Sequence, residues 1–283
     1  MKKLFLYALF IILGVSPIAW VKFPEGQKSS NVSFQQQLAQ SVTSEKTDIF
    51  KGKDLKGAQF DAVDEQGRKL KFQIRDFELD PQDADKETYL YTVVYLDTSD
   101  SKWKNLCKPD AYNVAKAIPL AGSWDKTGAY IESSKLITFG CTSGALAKCV
   151  RFGYKPWKNV NGKSLRDFHQ ACTRMVRADY CGNGKSHTQE GTWIDVYDVL
   201  GIQKQTAKSG MVFEAAWGPN GATCINRARL SEPLSEIVKE CPEKLKGHIN
   251  SGCRCSTAEK AKQNCPNSLL FNDSLPSHLR RAS

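Results

Sequence analysis

Residues 164–198 read SLRDFHQACTRMVRADYCGNGKSHTQEGTWIDVYD, which joins the best-formed helix pattern in the chain to a dense turn and the start of a strand. Leu165, Phe168, Cys172, Met175, Val176 and Asp179 share one face at helical spacing, while Arg166, Gln170, Thr173, Arg174 and Arg177 lie largely on the other. Ser164 is placed to cap the helix, with Asp167 as its reciprocal partner three residues later. Gly182 and Gly184 are expected to end the helix and to supply positive φ in the turn. Trp193, Val196 and Tyr197 then belong to a strand. A helix with one buried face, turned sharply into a strand, predicts a mixed α+β domain in which Cys172 points inward.

The sequence before this stretch is rich in strand patterns. Ala58–Asp64 forms one, closed by the turn Glu65-Gln66-Gly67. Leu70, Phe72 and Ile74 alternate with Lys71, Gln73 and Arg75, the period-2 pattern of a half-buried strand. Tyr89–Asp97 (YLYTVVYLD) is β-branched and aromatic. The first hundred residues therefore read as an antiparallel meander, with short candidates following at Ala129–Ser133 and Leu136–Phe139. Thr142 or Ser143 can cap a short helix carrying Leu146, Cys149 and Val150 on one face, with Gly153 at its end. Downstream, Val212–Trp217 and Thr223–Leu230 form a hairpin around Gly218-Pro219-Asn220-Gly221.

The chain has 283 residues, 41% of them hydrophobic, which suits a packed core. Its ten cysteines are Cys107, Cys141, Cys149, Cys172, Cys181, Cys224, Cys241, Cys253, Cys255 and Cys265. In an oxidising compartment they read as a disulfide framework. Lys2 and Lys3 precede the apolar run Leu4–Val15, as in a secretory signal. Ala19 can stand last before a cut, although Pro17 fits poorly two places earlier. The same run also fits an uncleaved anchor, which would put the chain on a membrane. The expected location is secreted or periplasmic.

Residues 1–20 are thus read as signal or anchor, and 21–47 as a polar linker. The domain spans 48–232, β-rich over 48–140 and helical with further strands over 141–232. Residues 233–265 form a cysteine-rich extension with few large apolar side chains, and 266–283 a flexible tail. The net charge is +10 and scattered, without a polybasic arm, which argues against nucleic acid and leaves an acidic envelope polymer or another exported protein as partner.

Arg177-Ala178-Asp179-Tyr180-Cys181-Gly182 carries a resemblance. With TFGCTSGALAKCVRFGYKPW at 138–157 and FEAAWGPNGATCIN at 213–226, it resembles the ADYC domain family over about residues 100–230, the motif being Ala178, Asp179, Tyr180 and Cys181. The resemblance implies a bacterial, mostly exported domain of unknown function. It carries over no catalytic residue.

Candidate chemistry concentrates in the same stretch. His169-Gln170-Ala171-Cys172-Thr173-Arg174 is similar to the Ser-x-Gly-Cys-x-Arg run of L,D-transpeptidases, which would make Cys172 a nucleophile; the upstream His-Gly of those enzymes is absent, and His187, beside a Gly-rich turn, is the candidate base. His and Ala stand where that family has Ser and Gly, so a half-cystine is the competing reading. His169, Cys172, Cys181 and His187 have the residue types, but not the usual spacing, of a Cys₂His₂ zinc site. Counted from Asp179, Asn183, Gly184 and Glu190 fall at places 5, 6 and 12 of a calcium loop, with Cys181 a poor third ligand. The alternative is that Asp179 and Asn183 brace the turn through backbone amides. His187 otherwise reads as a lone surface histidine, and most of the six tryptophans as core.

These readings combine into an exported, disulfide-stabilised α+β domain: an antiparallel sheet or partial barrel carrying two adjacent helices. A bridge between Cys149 and Cys172 fits the two buried helix faces, and Cys181 would clamp the turn. Full pairing stays open, since even eight cysteines allow about 105 connectivities. The expected function is a non-enzymatic binding or structural module without a cofactor. The alternatives are a Cys/His hydrolase or transferase on cell-wall material, or a calcium-stabilised domain.

Overall fold

The computed structural model describes residues 20–22, 56–63, 69–133, 136–208, 210–243, 245 and 255–276. Residues 1–19 of the signal or anchor expected over 1–20, most of the expected linker and Cys253 lie outside the described residues.

The first layer is a barrel. Its strands are β1 (Trp20–Lys22), β2 (Gln59–Val63), β3 (Lys69–Leu79), β4 (Tyr89–Asp97), β5 (Lys102–Asn105), β6 (Ala117–Ala121) and β9 (Leu136–Cys141), in the order β3-β2-β1-β9-β6-β4-β5. A further pairing of β3 with β4 closes the ring, and every pairing is antiparallel. The alternation in β3 sends Phe72 and Ile74 inward, where they meet Tyr91, Val93, Ile137 and Phe139. A register shift between Ile74 and Asp76 lets β3 bend around the ring. The outer face of the wall is covered too. Leu90, Ile118 and Leu120 pack on Leu146, Ala147 and Val150 of the first helix, which explains why β4 and β6 read as nearly continuous apolar runs. The meander expected before residue 100 is therefore part of a larger ring that needs β6 and β9. The linker expected over 21–47 begins two residues too early, because Val21 and Lys22 belong to β1.

The second layer holds helices α1 (Ala145–Arg151) and α2 (Arg166–Arg177) against an antiparallel sheet. The sheet's strands are β12 (Ile194–Asp198), β13 (Val212–Gly218), β14 (Gly221–Ile225) and β15 (Leu270–Ser274), ordered β12-β15-β13-β14. Two small hairpins, β7 (Ser123–Trp124) with β8 (Tyr130–Ile131) and β10 (Asn159–Val160) with β11 (Lys163–Ser164), flank the helices. Short helices α3 (Leu234–Glu240) and α4 (Ala258–Asn264) complete the described elements.

The tail expected over 266–283 is corrected: residues 270–274 form β15, wholly buried between β12 and β13. Its sequence LFNDS hid this, because its polar half is satisfied by distant partners. Trp217 Nε1 donates to Asn272 at 2.8 Å and the Tyr197 hydroxyl to Asp273 at 2.7 Å. Residues 233–265 likewise contribute core, since Ala258, Ala261 and Cys265 pack on Tyr197 and Phe271.

Four disulfides brace the fold, one inside the barrel and three inside the second layer: Cys107–Cys141, and then Cys149–Cys172, Cys181–Cys241 and Cys224–Cys255. Cys265 is disulfide-bonded as well. Both cap assignments change. Gly144, not Thr142 or Ser143, caps α1, and the Thr142 hydroxyl donates instead to the Val114 carbonyl at 2.8 Å. Leu165 caps α2 without a side-chain bond, and Ser164 Oγ accepts only the Arg166 N–H at 3.2 Å.

Charge also pins the layers together. Arg151 donates to Asp80 at 2.7 Å and to Asp110 at 2.9 Å, and Lys155 donates to Asp83, Asp85 and Glu87 at 2.8, 2.9 and 2.6 Å. Burial raises the Asp83 and Asp110 carboxyls, but the cation and backbone N–H groups facing them outweigh it and hold both below the ordinary carboxylate value. His169 is shifted down as well, but by burial itself. Burial against Trp124 pushes it down to about 4, and its Nε2–H lies 3.0 Å from the Leu146 carbonyl.

Both shifts destabilise the fold in acid. An unfolded histidine binds its proton below 6.5 while His169 stays neutral, so stability falls from there down to about 4. The depressed carboxylates keep their stabilisation above their unfolded values near 4 and lose it as pH falls further. Thermal melts between pH 8 and 2.5 should show two successive declines, the first flattened by His169→Gln.

Candidate functional site: the turn after the central helix

Helix α2 ends where Ala178 enters the left-handed region at φ 50°, ψ 42°. The first chain reversal therefore falls on an alanine, and Gly182 and Gly184 serve the turn beyond it. The Ala178 and Asp179 amides donate to the Met175 and Arg174 carbonyls at 3.0 and 2.9 Å, which closes the helix. Asp179 is fully buried. Its Oδ1 accepts the Asn183 N–H at 3.1 Å, and its Oδ2 accepts the Gly184 N–H at 3.0 Å and Arg174 Nη1 at 2.6 Å. Arg174 also donates to the Thr127 and Pro219 carbonyls.

Tyr180 enters a second buried network. Its hydroxyl donates to Glu214 Oε1 at 3.1 Å and accepts the Arg229 N–H at 2.7 Å, and its ring stacks on Trp217 with centroids 5.2 Å apart. Burial, then the Glu214 charge, holds the phenol well above its ordinary value. Arg229 grips both Glu214 oxygens at 3.0 and 2.9 Å and donates to the Met175 and Val176 carbonyls at 2.7 and 3.0 Å. It thus caps the exposed carbonyl end of α2 with a cation. Burial raises the Glu214 carboxyl, but the Arg229 charge outweighs it and keeps Glu214 ionised.

The backbone of this turn docks on the β13–β14 hairpin. Ala222 N–H donates to the Tyr180 carbonyl at 2.9 Å. A Cβ on Gly182 would stand 1.9 Å from the Asn220 carbonyl oxygen, and one on Gly221 2.6 Å from that of Tyr180. Gly182 and Gly221 are thus needed to let the two turns touch. Gly182→Ala, with φ at +64° besides the clash, should cost at least about 2 kcal/mol, read as a fall in denaturation midpoint.

Several readings are corrected here. Cys172 is bonded to Cys149 and offers no thiolate, so the transpeptidase-like nucleophile is lost. Cys172 and Cys181 both being disulfide sulfurs, the zinc set of His169, Cys172, Cys181 and His187 fails. Both Asp179 oxygens are held by protein donors, Asn183 Oδ1 accepts the Lys185 N–H at 2.9 Å, and Glu190 is exposed, so the calcium loop lacks converging oxygens. His187 is not a surface group. It is buried beside Tyr180, with Nδ1 2.9 Å from Glu232 and Nε2 3.3 Å from Glu240. Gln170, Thr173 and Arg174, expected on an open polar face, are buried because the β7–β8 hairpin and its turn cover them. Trp124 Nε1 donates to Gln170 at 2.9 Å, and Gln170 to the Gly128 carbonyl at 2.8 Å. Sequence periodicity missed Glu214 and Arg229, and the lone carboxylate of Glu214 inside the apolar run of β13 was the available sign. Asp195 accepts from Thr206, while Asp198 accepts from Tyr154 and from the Leu200, Ile202 and Gln203 amides.

The fold and this hub define a disulfide-bonded α+β domain of antiparallel sheets, organised on a buried Asp-Tyr-Cys turn. The chain belongs to the ADYC domain family, whose model matches residues 52–231, so the likeness reaches further forward than residue 100. No curated protein and no solved structure matches it.

Proposed function

We propose that this chain is an exported cell-envelope or secreted module that works by binding, with a protein or an acidic polymer as partner, and not by catalysis. One observation carries the reading: every reactive group of the family motif is consumed inside the molecule. Asp179 is paired with Arg174, Tyr180 with Glu214 and Arg229, and Cys181 with Cys241. A turn so committed holds α2 against two other elements and presents nothing to a substrate. The disulfides fit an oxidising compartment. Among the described residues no helix is long and apolar enough to cross a membrane. The charge of +10 favours acidic partners, and Trp193, 68% exposed with Lys208 Nζ 5.3 Å from its ring centroid, is an aromatic-cationic contact of the kind such partners use.

Thiol titration of the unfolded, unreduced protein tests the reading. No thiol is expected. A free, reactive cysteine accompanied by turnover of wall peptides would replace binding with catalysis. Retention on an immobilised acidic polymer should weaken with salt and with Lys208→Ala or Trp193→Ala, without a change in melting temperature.

A further inference from the structure

We propose that the Cys181–Cys241 bridge is a redox latch: an external dithiol opens it ahead of every other bridge by attack on Cys241, and opening frees helix α3 from the Asp-Tyr-Cys turn. A disulfide is reduced by a thiolate that reaches one of its sulfurs, so access decides which bridge opens first. Eight of the nine described half-cystines are buried, none more than 5% exposed, and Cys241 alone is partly exposed. The surroundings differ as well. Cys149–Cys172 is enclosed in the core beneath α2, Cys107–Cys141 among the inward side chains of the barrel, and Cys224–Cys255 in the core around Tyr197 and Phe271. A reductant reaches those bridges only after the layer around them opens.

Cys241 follows directly on α3, a helix of seven residues in which Ile237 is the one buried side chain. A helix this short does not hold itself in water. Its ties to the turn are Ile237 with the flanks of Leu234 and Val238, the bridge, and Glu240, which pairs with the exposed Lys185 and lies 3.3 Å from His187. An exposed ion pair adds little, so the bridge is the strongest of the polar and covalent ties. It also crosses a boundary. The family match ends at residue 231, so the motif cysteine Cys181 is bonded to a half-cystine of the extension that follows. The turn's other anchors, Asp179 on Arg174 and Tyr180 on Glu214 and Arg229, do not depend on the bridge.

The reductant is a vicinal dithiol of the Cys-x-x-Cys kind. Its thiolate attacks Cys241 Sγ, the bond between the two sulfurs breaks, and Cys181 leaves as a thiolate that takes up a proton. The second thiol of the reductant, deprotonated in turn, displaces Cys241 from the mixed disulfide, and Cys241 is protonated as it leaves. The protein has gained two electrons and two protons, and the dithiol has become a disulfide. Departure of α3 then uncovers the side of His187 that Glu240 faces.

The test exposes the oxidised full chain, without denaturant, to dithiothreitol, quenches it with an alkylating agent at successive times and maps the label by peptide mass. Cys181 and Cys241 are expected to take up label together, at least about tenfold faster than any other cysteine. At that stage hydrogen exchange should be faster over Leu234–Glu240 and unchanged over Arg166–Arg177. Cys181→Ala with Cys241→Ala should show the same exchange pattern without reductant. Earlier or simultaneous labelling of another bridge, or exchange rising across α2 as the pair opens, would overturn the latch. Opening of the pair with exchange in α3 unchanged would overturn the release of the helix.

Discussion

Replacing Arg229 by methionine is expected to lower stability by about 3–5 kcal/mol, the cost of leaving a buried carboxylate without its partner. Arg229 and Glu214 are among the least exposed side chains in the molecule. The guanidinium spends its donors on Glu214 and on the Met175 and Val176 carbonyls, so its loss strips charge from one partner and caps from another. Tyr180 would remain as a neutral donor to Glu214 and could not offset an ionised carboxylate. At about 2–4 °C per kcal/mol for a domain of this size, the melting temperature should fall by roughly 6–20 °C. The double change Glu214→Met with Arg229→Met should recover much of the loss, because an apolar pair of similar volume replaces a buried ion pair at little cost. A single variant melting within about 2 °C of the parent would show that the pair does not hold the hub.

The second large effect is expected from Cys181→Ala with Cys241→Ala. This bridge closes the longest loop among the four described, with a sequence separation of 60. Chain-entropy arithmetic puts its contribution at about 4 kcal/mol. Its removal also frees α3 from the turn, where Glu232 and Glu240 otherwise flank His187. Substituting both cysteines avoids a stray thiol. A loss of roughly 8–16 °C in melting temperature is expected, together with early hydrogen exchange over Leu234–Glu240. Unchanged exchange in α3 would show that packing of Ile237 holds the helix without the bridge.

Much of the architecture was legible in local patterns. Period-2 alternation located β3, and the β-branched run located β4. The helical faces of α1 and α2 put Cys149 and Cys172 on buried sides, where the structure joins them. The Asn-Gly signal located the β13–β14 hairpin. The calcium-like spacing after Asp179 shows the limit of such reading. Its oxygens have suitable intervals along the chain, but Arg174 and two backbone amides already occupy the first ligand.

By itself the sequence determined a mixed α+β domain, its cysteine content and the helix-turn-strand at its centre, because propensity, periodicity and turn chemistry act over a few neighbouring residues. Only the tertiary structure decided that the barrel closes through Trp20–Lys22, that the polar LFNDS segment is a buried strand, and that Asp179, Tyr180 and Cys181 hold architecture. The physical reason is common to the last two. A buried polar group is tolerated only when a partner satisfies it, and the partners Glu214, Arg229, Trp217 and Tyr197 come from elements that no local pattern brings together.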